Sequence, residues 1–394
     1  MNFDDIKDRR GTYCTQWDYI KDRFGKEDLL PFTISDMDLE SPDEIAEALI
    51  KRINHKIFGY SRWNHDDFKN AVTGWYEKRF NYIPDKEWIV YSPSVIYSVS
   101  KFIEMKTEKG DGVLINTPGY DGFFKMIEGN ERKLISSPLK NINGRYEVDF
   151  EDFEKKCDEA KVFLLCSPHN PVGKVWTEEE LKRMIDICRK KNVFIISDEI
   201  HMDIVYNGKH IPILSLGGEY LENMILCTSA SKTFNIPAFT GSYLFIPSEK
   251  GREEFLRILK NRDALSSPSI LAVIATITAY NKCEYWVDEL VKYTENNIRF
   301  TKEYLQKNIP ELKCEVPQGS YFAWIDFSEL DLPSEEFQRY LIDIGKVAVM
   351  PGLTYGEEGR YFLRFNVACS IKKVQDGLER ILKAVEHIRN LKNI

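Results

Sequence analysis

Cys227-Thr228-Ser229-Ala230-Ser231-Lys232-Thr233-Phe234-Asn235 places two serines and a lysine within four residues, directly after an apolar run. That run, Met224-Ile225-Leu226, is typical of the end of a buried strand. A lysine amine in this position can form a Schiff base with a carbonyl group, and the neighbouring hydroxyls can bind a phosphate. A solvated surface lysine is the commoner alternative, because most lysines are exposed. The stretch alone leaves both interpretations open.

Short apolar runs alternate with amphipathic segments from about residue 88 onward. Continuous apolar runs indicate strands buried on both faces, and helices between them indicate a mostly parallel sheet. The sequence predicts strands at 88–91, 112–115, 132–135, 162–166, 193–196, 224–227 and 243–246. It predicts helices at 66–80, 95–106, 150–158 and 178–191, with a capping box at the start of the last. We therefore expect an α/β fold.

The 394 residues are enough for two or three domains. We predict an amino-terminal arm and part of a small domain at 1–45, a large domain at 46–285 and a small α+β domain at 286–394. Ser41-Pro42-Asp43-Glu44 is a helix-start signal in which Ser41 is the expected cap. A long helix is expected from about residue 285 to the break at Ile309-Pro310.

Charge and composition exclude several classes of function. The net charge is −8 without a long basic run, so we expect neither nucleic acid nor an anionic membrane as partner. No secretory signal or membrane-spanning run is apparent. The eight cysteines form no Cys-x-x-Cys pair and the six histidines show no ligand spacing, so we expect no metal. Buried thiols of this kind favour a cytoplasmic location.

Polar residues follow three successive predicted strands. The motifs are Cys166-Ser167-Pro168-His169-Asn170-Pro171-Val172-Gly173, Ser197-Asp198-Glu199-Ile200-His201 and Ser229-Ala230-Ser231-Lys232. Ligands of open α/β sheets bind outside the carboxyl ends of the strands, so an amide, a carboxylate and an amine can converge there. Taken singly, Asn170 can belong to a turn and Asp198 can cap a helix. The three together favour a pocket for a pyridine cofactor.

An ordered set of motifs resembles the fold-type I pyridoxal-phosphate enzymes of the aspartate aminotransferase superfamily, over nearly the whole chain. The similarity is closer to the branch of cystathionine β-lyase-like C–S lyases (the MalY/PatB type). The motifs are Ser35-Asp36-Met37-Asp38, Phe58-Gly59-Tyr60-Ser61, Ser94-Val95-Ile96-Tyr97, Thr117-Pro118-Gly119-Tyr120-Asp121, the stretches 166–176, 197–203, 229–238, 264–269 and 350–360, and Arg364. The resemblance implies a large domain with a mostly parallel sheet covered by helices, plus a smaller α+β domain.

The resemblance also implies roles for individual residues. Lys232 would be the Schiff-base lysine that also moves the substrate α-proton. Asp198 would pair with the pyridinium nitrogen of pyridoxal 5′-phosphate, Asn170 would contact its phenolic oxygen, and Tyr120 would stack on its ring. The phosphate would lie among Ser229, Ser231 and the backbone amides of Val95 and Ile96. Tyr60 would reach the phosphate in the other subunit, which implies a homodimer.

Arg364 lies inside the apolar segment Phe362-Leu363-Arg364-Phe365 and needs an anionic partner there. It matches the family's clamp on the substrate α-carboxylate, and a salt bridge to a protein acid is the alternative. Two positions depart from many aminotransferases. His201 stands where they have a tyrosine that contacts the phenolic oxygen, and Thr240 stands where they have a phosphate-binding arginine.

The implied reaction is α,β-elimination from L-cystathionine and related cysteine S-conjugates, which gives a thiol, pyruvate and ammonia. The named residues serve transamination equally well, so an aminotransferase is the alternative. A non-catalytic regulatory protein on the same scaffold is less favoured, because it would be expected to lose Lys232 or Asp198.

Overall fold

A computed structural model of the protein describes residues 2–392. Its larger sheet has seven strands, in the spatial order Ile89–Ser92, Ser242–Phe245, Met224–Thr228, Phe194–Asp198, Ala160–Cys166, Gly112–Thr117 and Lys133–Pro138. Ser242–Phe245 pairs antiparallel with both of its neighbours, and the other neighbouring strands of this sheet pair in parallel. The strands from Ala160 to Thr228 are almost entirely buried, which confirms the predicted α/β class.

Helices pack against this sheet and around it. The helices of the described chain are Ile20–Phe24, Asp43–Asn54, Asp66–Phe80, Val95–Lys106, Asp121–Gly129, Phe150–Cys157, Glu178–Lys191, Ala230–Thr233, Glu249–Arg257, Ile270–Lys282, Glu284–Asn308, Ser334–Tyr340 and Ile371–Lys392. Phe102 of the helix Val95–Lys106 stacks on Phe194 of the sheet, with ring centroids 6.0 Å apart. The predicted capping box is present, because Thr177 and Glu180 each accept the other's backbone N–H.

A second sheet has five strands, in the order Leu30–Phe32, Val347–Pro351, Phe362–Asn366, Phe322–Asp326 and Lys313–Cys314. Its first strand pairs in parallel with Val347–Pro351, so a segment near the amino terminus completes a sheet built from the last third of the chain. Lys140–Ile142 and Arg145–Glu147 form a separate hairpin. The proposed domain boundaries at 45 and 285 remain a prediction.

One expected helix cap is wrong. The helix Asp43–Asn54 has Pro42 as its N-cap residue, and no side chain caps it. The Ser41 hydroxyl instead donates to the backbone carbonyl of Asn235, at 3.2 Å. A tertiary contact therefore uses the hydroxyl that the local pattern assigned to the helix.

No helix within residues 2–392 is both long and apolar enough to cross a membrane. The same residues contain no group of three or more His, Cys, Asp or Glu side chains arranged to hold a metal ion.

Candidate active site

A cavity of about 210 Å³ lies at the carboxyl ends of the central strands. Its walls include nine of the predicted site residues, namely Val95, Ile96, Tyr120, Asn170, Asp198, His201, Ser229, Ser231 and Lys232. Ser35, Cys166, Thr240 and Gly241 also line it. Arg364 lies directly behind this wall, where Nη1 donates to Asn170 Oδ1 at 3.1 Å.

The parallel register of three adjacent strands brings these residues together. Strand Phe194–Asp198 lies between Ala160–Cys166 and Met224–Thr228 and pairs in parallel with both. Hydrogen bonds continue past the strand ends, from Ser167 N to Asp198 O and from Glu199 N to Cys227 O, both at 2.9 Å. The segments that follow the strands therefore begin at one level of the same sheet edge.

Lys232 lies in the short helix Ala230–Thr233, which begins directly after strand Met224–Thr228 and its cap Ser229. Its Nζ donates to Ser35 Oγ at 2.8 Å and to the Ser35 carbonyl oxygen at 3.2 Å. Burial lowers the pKa of Lys232 to about 8, against the opposing effect of the negative charge on Asp36. The unprotonated fraction of this amine near neutral pH is therefore much larger than that of an exposed lysine, and the unprotonated form is the one that a nucleophile or base requires.

Ser35 is a site residue that was not predicted from the sequence. Besides its two contacts with Lys232, its carbonyl oxygen accepts the hydroxyl of Tyr321 at 2.8 Å. Ser35 precedes Lys232 by almost two hundred positions. The contact depends on how a loop beside the smaller sheet meets the larger one. The motif Ser35-Asp36-Met37-Asp38 contributes to the family resemblance, but its residue types do not predict a contact between Ser35 and the lysine amine.

Asp198 is a buried carboxyl at the end of its strand. The pKa of Asp198 is raised to about 7, mainly by burial and to a smaller extent by the charge of Glu199, against the lowering effects of a hydrogen bond from Ile200 and the charge of Lys232. Oδ1 accepts the Ile200 N–H at 3.1 Å within a turn. No helix begins directly after this strand in the described residues, so the helix-capping alternative is wrong. A cationic group in the cavity would favour the ionised carboxylate, as a pyridinium nitrogen would.

Arg364 has no carboxylate partner in the described part of the chain, although it is buried. Nη2 donates to the Thr33 carbonyl oxygen at 2.7 Å, and Nε is buried without a partner among residues 2–392. Phe322 and Tyr355 flank the guanidinium, at 4.0 and 4.8 Å from their ring centroids. A buried cation with a free donor favours an anionic ligand over the protein salt bridge that we considered as the alternative.

His201 faces the same cavity as a neutral imidazole. Burial, together with the smaller effects of the charges of Lys232 and Arg364, lowers the pKa of His201 to about 3. Its Nδ1 is buried and has no hydrogen-bond partner in residues 2–392. A neutral imidazole carries one N–H, so His201 can donate one hydrogen bond to a ligand oxygen.

The opposite end of the cavity suits an anion. Ser94 caps the helix Val95–Lys106 by accepting the Tyr97 N–H at 3.1 Å, and the first helical residues Val95 and Ile96 line the cavity. Backbone N–H groups at a helix amino terminus bind phosphates. Ser229 Oγ accepts the Ser231 N–H at 3.1 Å and donates to the Gly241 carbonyl at 2.6 Å. Its hydroxyl proton is therefore already in use, which leaves Ser231 and the amides as the freer donors.

The site fits the cofactor that the resemblance implies. The lysine amine suits an electrophilic carbonyl, Asp198 suits a cationic ring nitrogen, and the helix terminus suits a phosphate. Pyridoxal phosphate carries all three groups. Tyr120 lines the cavity as an aromatic wall, and burial raises its pKa to about 12, so it is uncharged at neutral pH.

Tyr60 is a predicted site residue that does not contact the cavity of its own chain. Its side chain is 98% exposed. The cavity walls formed by this chain do not include it.

Fold and site together define an α/β protein with a reactive lysine at the carboxyl edge of a mostly parallel sheet. The sequence model of aminotransferase class I and II matches residues 27–381, and the chain belongs to this family. The family and the fold type predicted from the motifs are thereby confirmed.

Individual relatives span the chain from end to end. Protein MalY of Escherichia coli (strain K12) is 45% identical and covers 99% of this chain and 100% of its own length. The cystathionine beta-lyase PatB of Bacillus subtilis (strain 168) is 38% identical over 98% of this chain and 100% of its own. The structure of cystalysin from Treponema denticola, which contains pyridoxal 5′-phosphate, superposes with a TM-score of 0.93 at 32% identity. It covers 98% of this chain and 99% of that chain.

Proposed function

We propose that this protein is a pyridoxal-phosphate-dependent C–S β-lyase that cleaves L-cystathionine and related cysteine S-conjugates to a thiol, pyruvate and ammonia. One observation carries the proposal. A cavity holds a lysine amine and a buried carboxylate, and behind its wall lies a guanidinium that has no anionic partner among residues 2–392. The similarity to PatB and cystalysin over the whole chain supports the lyase branch of the family.

The cofactor would be held by nine residues of the cavity wall, namely Lys232, Asp198, Asn170, His201, Tyr120, Ser229, Ser231, Val95 and Ile96. When bound, pyridoxal phosphate supplies an electron sink that weakens the bonds at the substrate Cα. Arg364 orients the substrate by its α-carboxylate, because Nε remains free to donate. Lys232 Nζ removes the α-proton and can return it to the departing sulfur. Ser35 orients that amine through its hydroxyl.

The purified protein incubated with L-cystathionine and no keto acid tests this function. A lyase forms pyruvate and free thiol in equal amounts. If neither forms, but amino transfer occurs once a keto acid is added, the protein is an aminotransferase. If neither reaction occurs with cofactor bound, the non-catalytic alternative holds.

We also propose that the active unit is a homodimer in which Tyr60 reaches the cofactor phosphate of the partner subunit. Large apolar side chains precede Tyr60 on the surface, and Ile50, Ile53, Ile57 and Phe58 are between 48% and 67% exposed. A cluster of exposed apolar residues of this kind indicates a protein–protein contact. The cavity also lacks an arginine at position 240, so an additional donor from a partner is chemically useful.

Mixed dimers test the shared site. The Tyr60→Phe homodimer and the Lys232→Ala homodimer are each expected to have lower activity than the wild type. For Tyr60→Phe we expect a loss of about 10-fold or more, because a hydrogen bond to a charged group is removed. A hybrid of the two variants then contains one site with both substitutions and one site with neither. We expect the activity of the mixture to exceed the sum of the activities of the two separate variants. The expected excess is the activity of one unsubstituted site in each hybrid dimer. If the two variants are unfolded and refolded together and the activity of the mixture equals the sum of their separate activities, the shared site is contradicted.

A cytoplasmic location is proposed on the eight cysteines, all of which are free and buried. Fractionation of cells that produce the protein, with a cytoplasmic marker enzyme as control, tests it.

A further inference from the structure

A second cavity, of about 690 Å³, adjoins the cofactor cavity. Ser35, Lys232 and Pro237 line both cavities, so both border the segment that carries the reactive amine. We name it the distal cavity and define it by Arg9, Tyr13, Asp36, Met37 and Glu40, which line it. Because it borders Lys232 and Ser35, it is a candidate space for the part of a substrate that lies beyond Cβ.

Two opposite charges face each other in the distal cavity. Arg9 Nη2 donates to Asp36 Oδ2 at 2.6 Å, and their side chains retain 24% and 14% exposure. The second oxygen of Asp36, Oδ1, accepts only a long hydrogen bond of 3.3 Å from Gln16 Nε2 among the described residues. A carboxylate oxygen can accept two hydrogen bonds, so Asp36 has acceptor capacity left for a ligand.

The Arg9 guanidinium likewise has N–H groups without a partner among the described residues. Its Nη1 donates to the Met37 carbonyl oxygen at 3.0 Å and to Asp38 Oδ1 at 2.8 Å. With the bond to Asp36, three of its five N–H groups have partners within residues 2–392. Two N–H groups remain for a ligand carboxylate.

Asp38 differs from Asp36, although only two positions separate them. Its oxygens accept Arg9 Nη1, accept Trp17 Nε1 at 3.0 Å and form an ion pair with Lys373. Its side chain is 8% exposed. Both carboxyls line the distal cavity, but Asp38 is occupied as the anchor that holds Arg9 in place, whereas Asp36 retains acceptor capacity at Oδ1.

We propose that the distal cavity binds the leaving half of the substrate, and that Asp36 and Arg9 recognise an ammonium and a carboxylate on it. The preferred substrates would then be cysteine thioethers whose leaving thiol is itself an amino acid, over those that release a simple alkanethiol. This inference rests on the proposed lyase function and specifies its substrate class. Charge-assisted hydrogen bonds in a partly buried site provide the selectivity.

Four substrates of equal chain length separate the two charges. L-Cystathionine has both, S-(3-carboxypropyl)-L-cysteine lacks the distal ammonium, S-(3-aminopropyl)-L-cysteine lacks the distal carboxylate, and S-propyl-L-cysteine lacks both. We expect kcat/KM of the wild-type holoenzyme to be highest for cystathionine and to fall by about 10- to 100-fold for S-propyl-L-cysteine.

Asp36→Asn keeps the shape of the side chain and removes its charge. It is expected to lower kcat/KM about 10-fold for the two substrates with a distal ammonium, and by less than about threefold for the two without it. Arg9→Gln should show the mirror pattern for the distal carboxylate. Asp8→Asn is the matched control, because Asp8 is an exposed carboxyl beside Arg10 that does not line the distal cavity, and its loss should leave all four values and their ratios unaltered.

The outcomes separate the two proposals. If none of the four thioethers yields pyruvate, the lyase function fails. If all four react but the wild type does not discriminate, or Asp36→Asn leaves the ratios unchanged, the lyase function stands and this inference is overturned. A crystal structure of Lys232→Ala with L-cystathionine gives a readout independent of turnover. It should place the distal ammonium within hydrogen-bond distance of Asp36, and finding it elsewhere would contradict the inference.

Discussion

Lys232→Ala is expected to lower kcat for L-cystathionine by roughly 10³-fold or more, because both the covalent anchor of the cofactor and the base for the α-proton are lost. The cofactor should still bind through Asp198 and the phosphate end of the cavity. Borohydride reduction followed by mass spectrometry should find the cofactor attached to the wild-type chain and not to the variant.

Lys232→Arg is the matched control for charge. It keeps a cation next to Ser35 but offers no amine that can form a Schiff base or lose a proton at neutral pH. We expect it to be as inactive as the alanine variant. Partial rescue of Lys232→Ala by added methylamine would support the proton-transfer role. Wild-type turnover by either variant would show that another residue performs the chemistry.

Asp198→Asn is expected to have the second-largest effect, a loss of roughly 10²- to 10⁴-fold in kcat/KM. Removal of one partner of a buried charge pair costs about 3–5 kcal/mol, and each 1.36 kcal/mol is a factor of ten in rate. The asparagine has nearly the same shape, so the cavity should persist. The Tm of the cofactor-free variant and its cofactor dissociation constant, from a fluorescence titration, are the structural controls.

The pH dependence of cofactor binding distinguishes a charge effect from a packing effect at Asp198. The pKa of its carboxyl is raised to about 7 by burial, so the group is ionised above that pH and neutral below it. Cofactor affinity of the wild type should therefore fall as the pH is lowered through 7. The cofactor affinity of Asp198→Asn should not show this fall near pH 7. The same pH dependence of affinity in both proteins would refute the pairing of Asp198 with the pyridinium nitrogen.

Much of the fold could be predicted because it depends on local patterns. The helices at 66–80, 95–106 and 178–191 begin and end at the predicted residues, since apolar periodicity and caps lie within the segments themselves. The strands were predicted from continuous apolar runs. Asn170, Asp198 and Lys232 could be placed on one sheet edge because parallel strands share a direction. Ser41 failed as a cap because a distant carbonyl of Asn235 binds its hydroxyl.

The sequence by itself determined the family, the mostly parallel sheet and the identity of the reactive lysine, because each is written in contiguous motifs. The tertiary structure decided what surrounds that lysine. It brought Ser35 to the amine, left Arg364 without a protein anion among the described residues, and set Arg9 against Asp36 in the distal cavity. These contacts join segments from the amino terminus, the large sheet and the last third of the chain. Their geometry follows from the packing of whole elements, which no local pattern encodes.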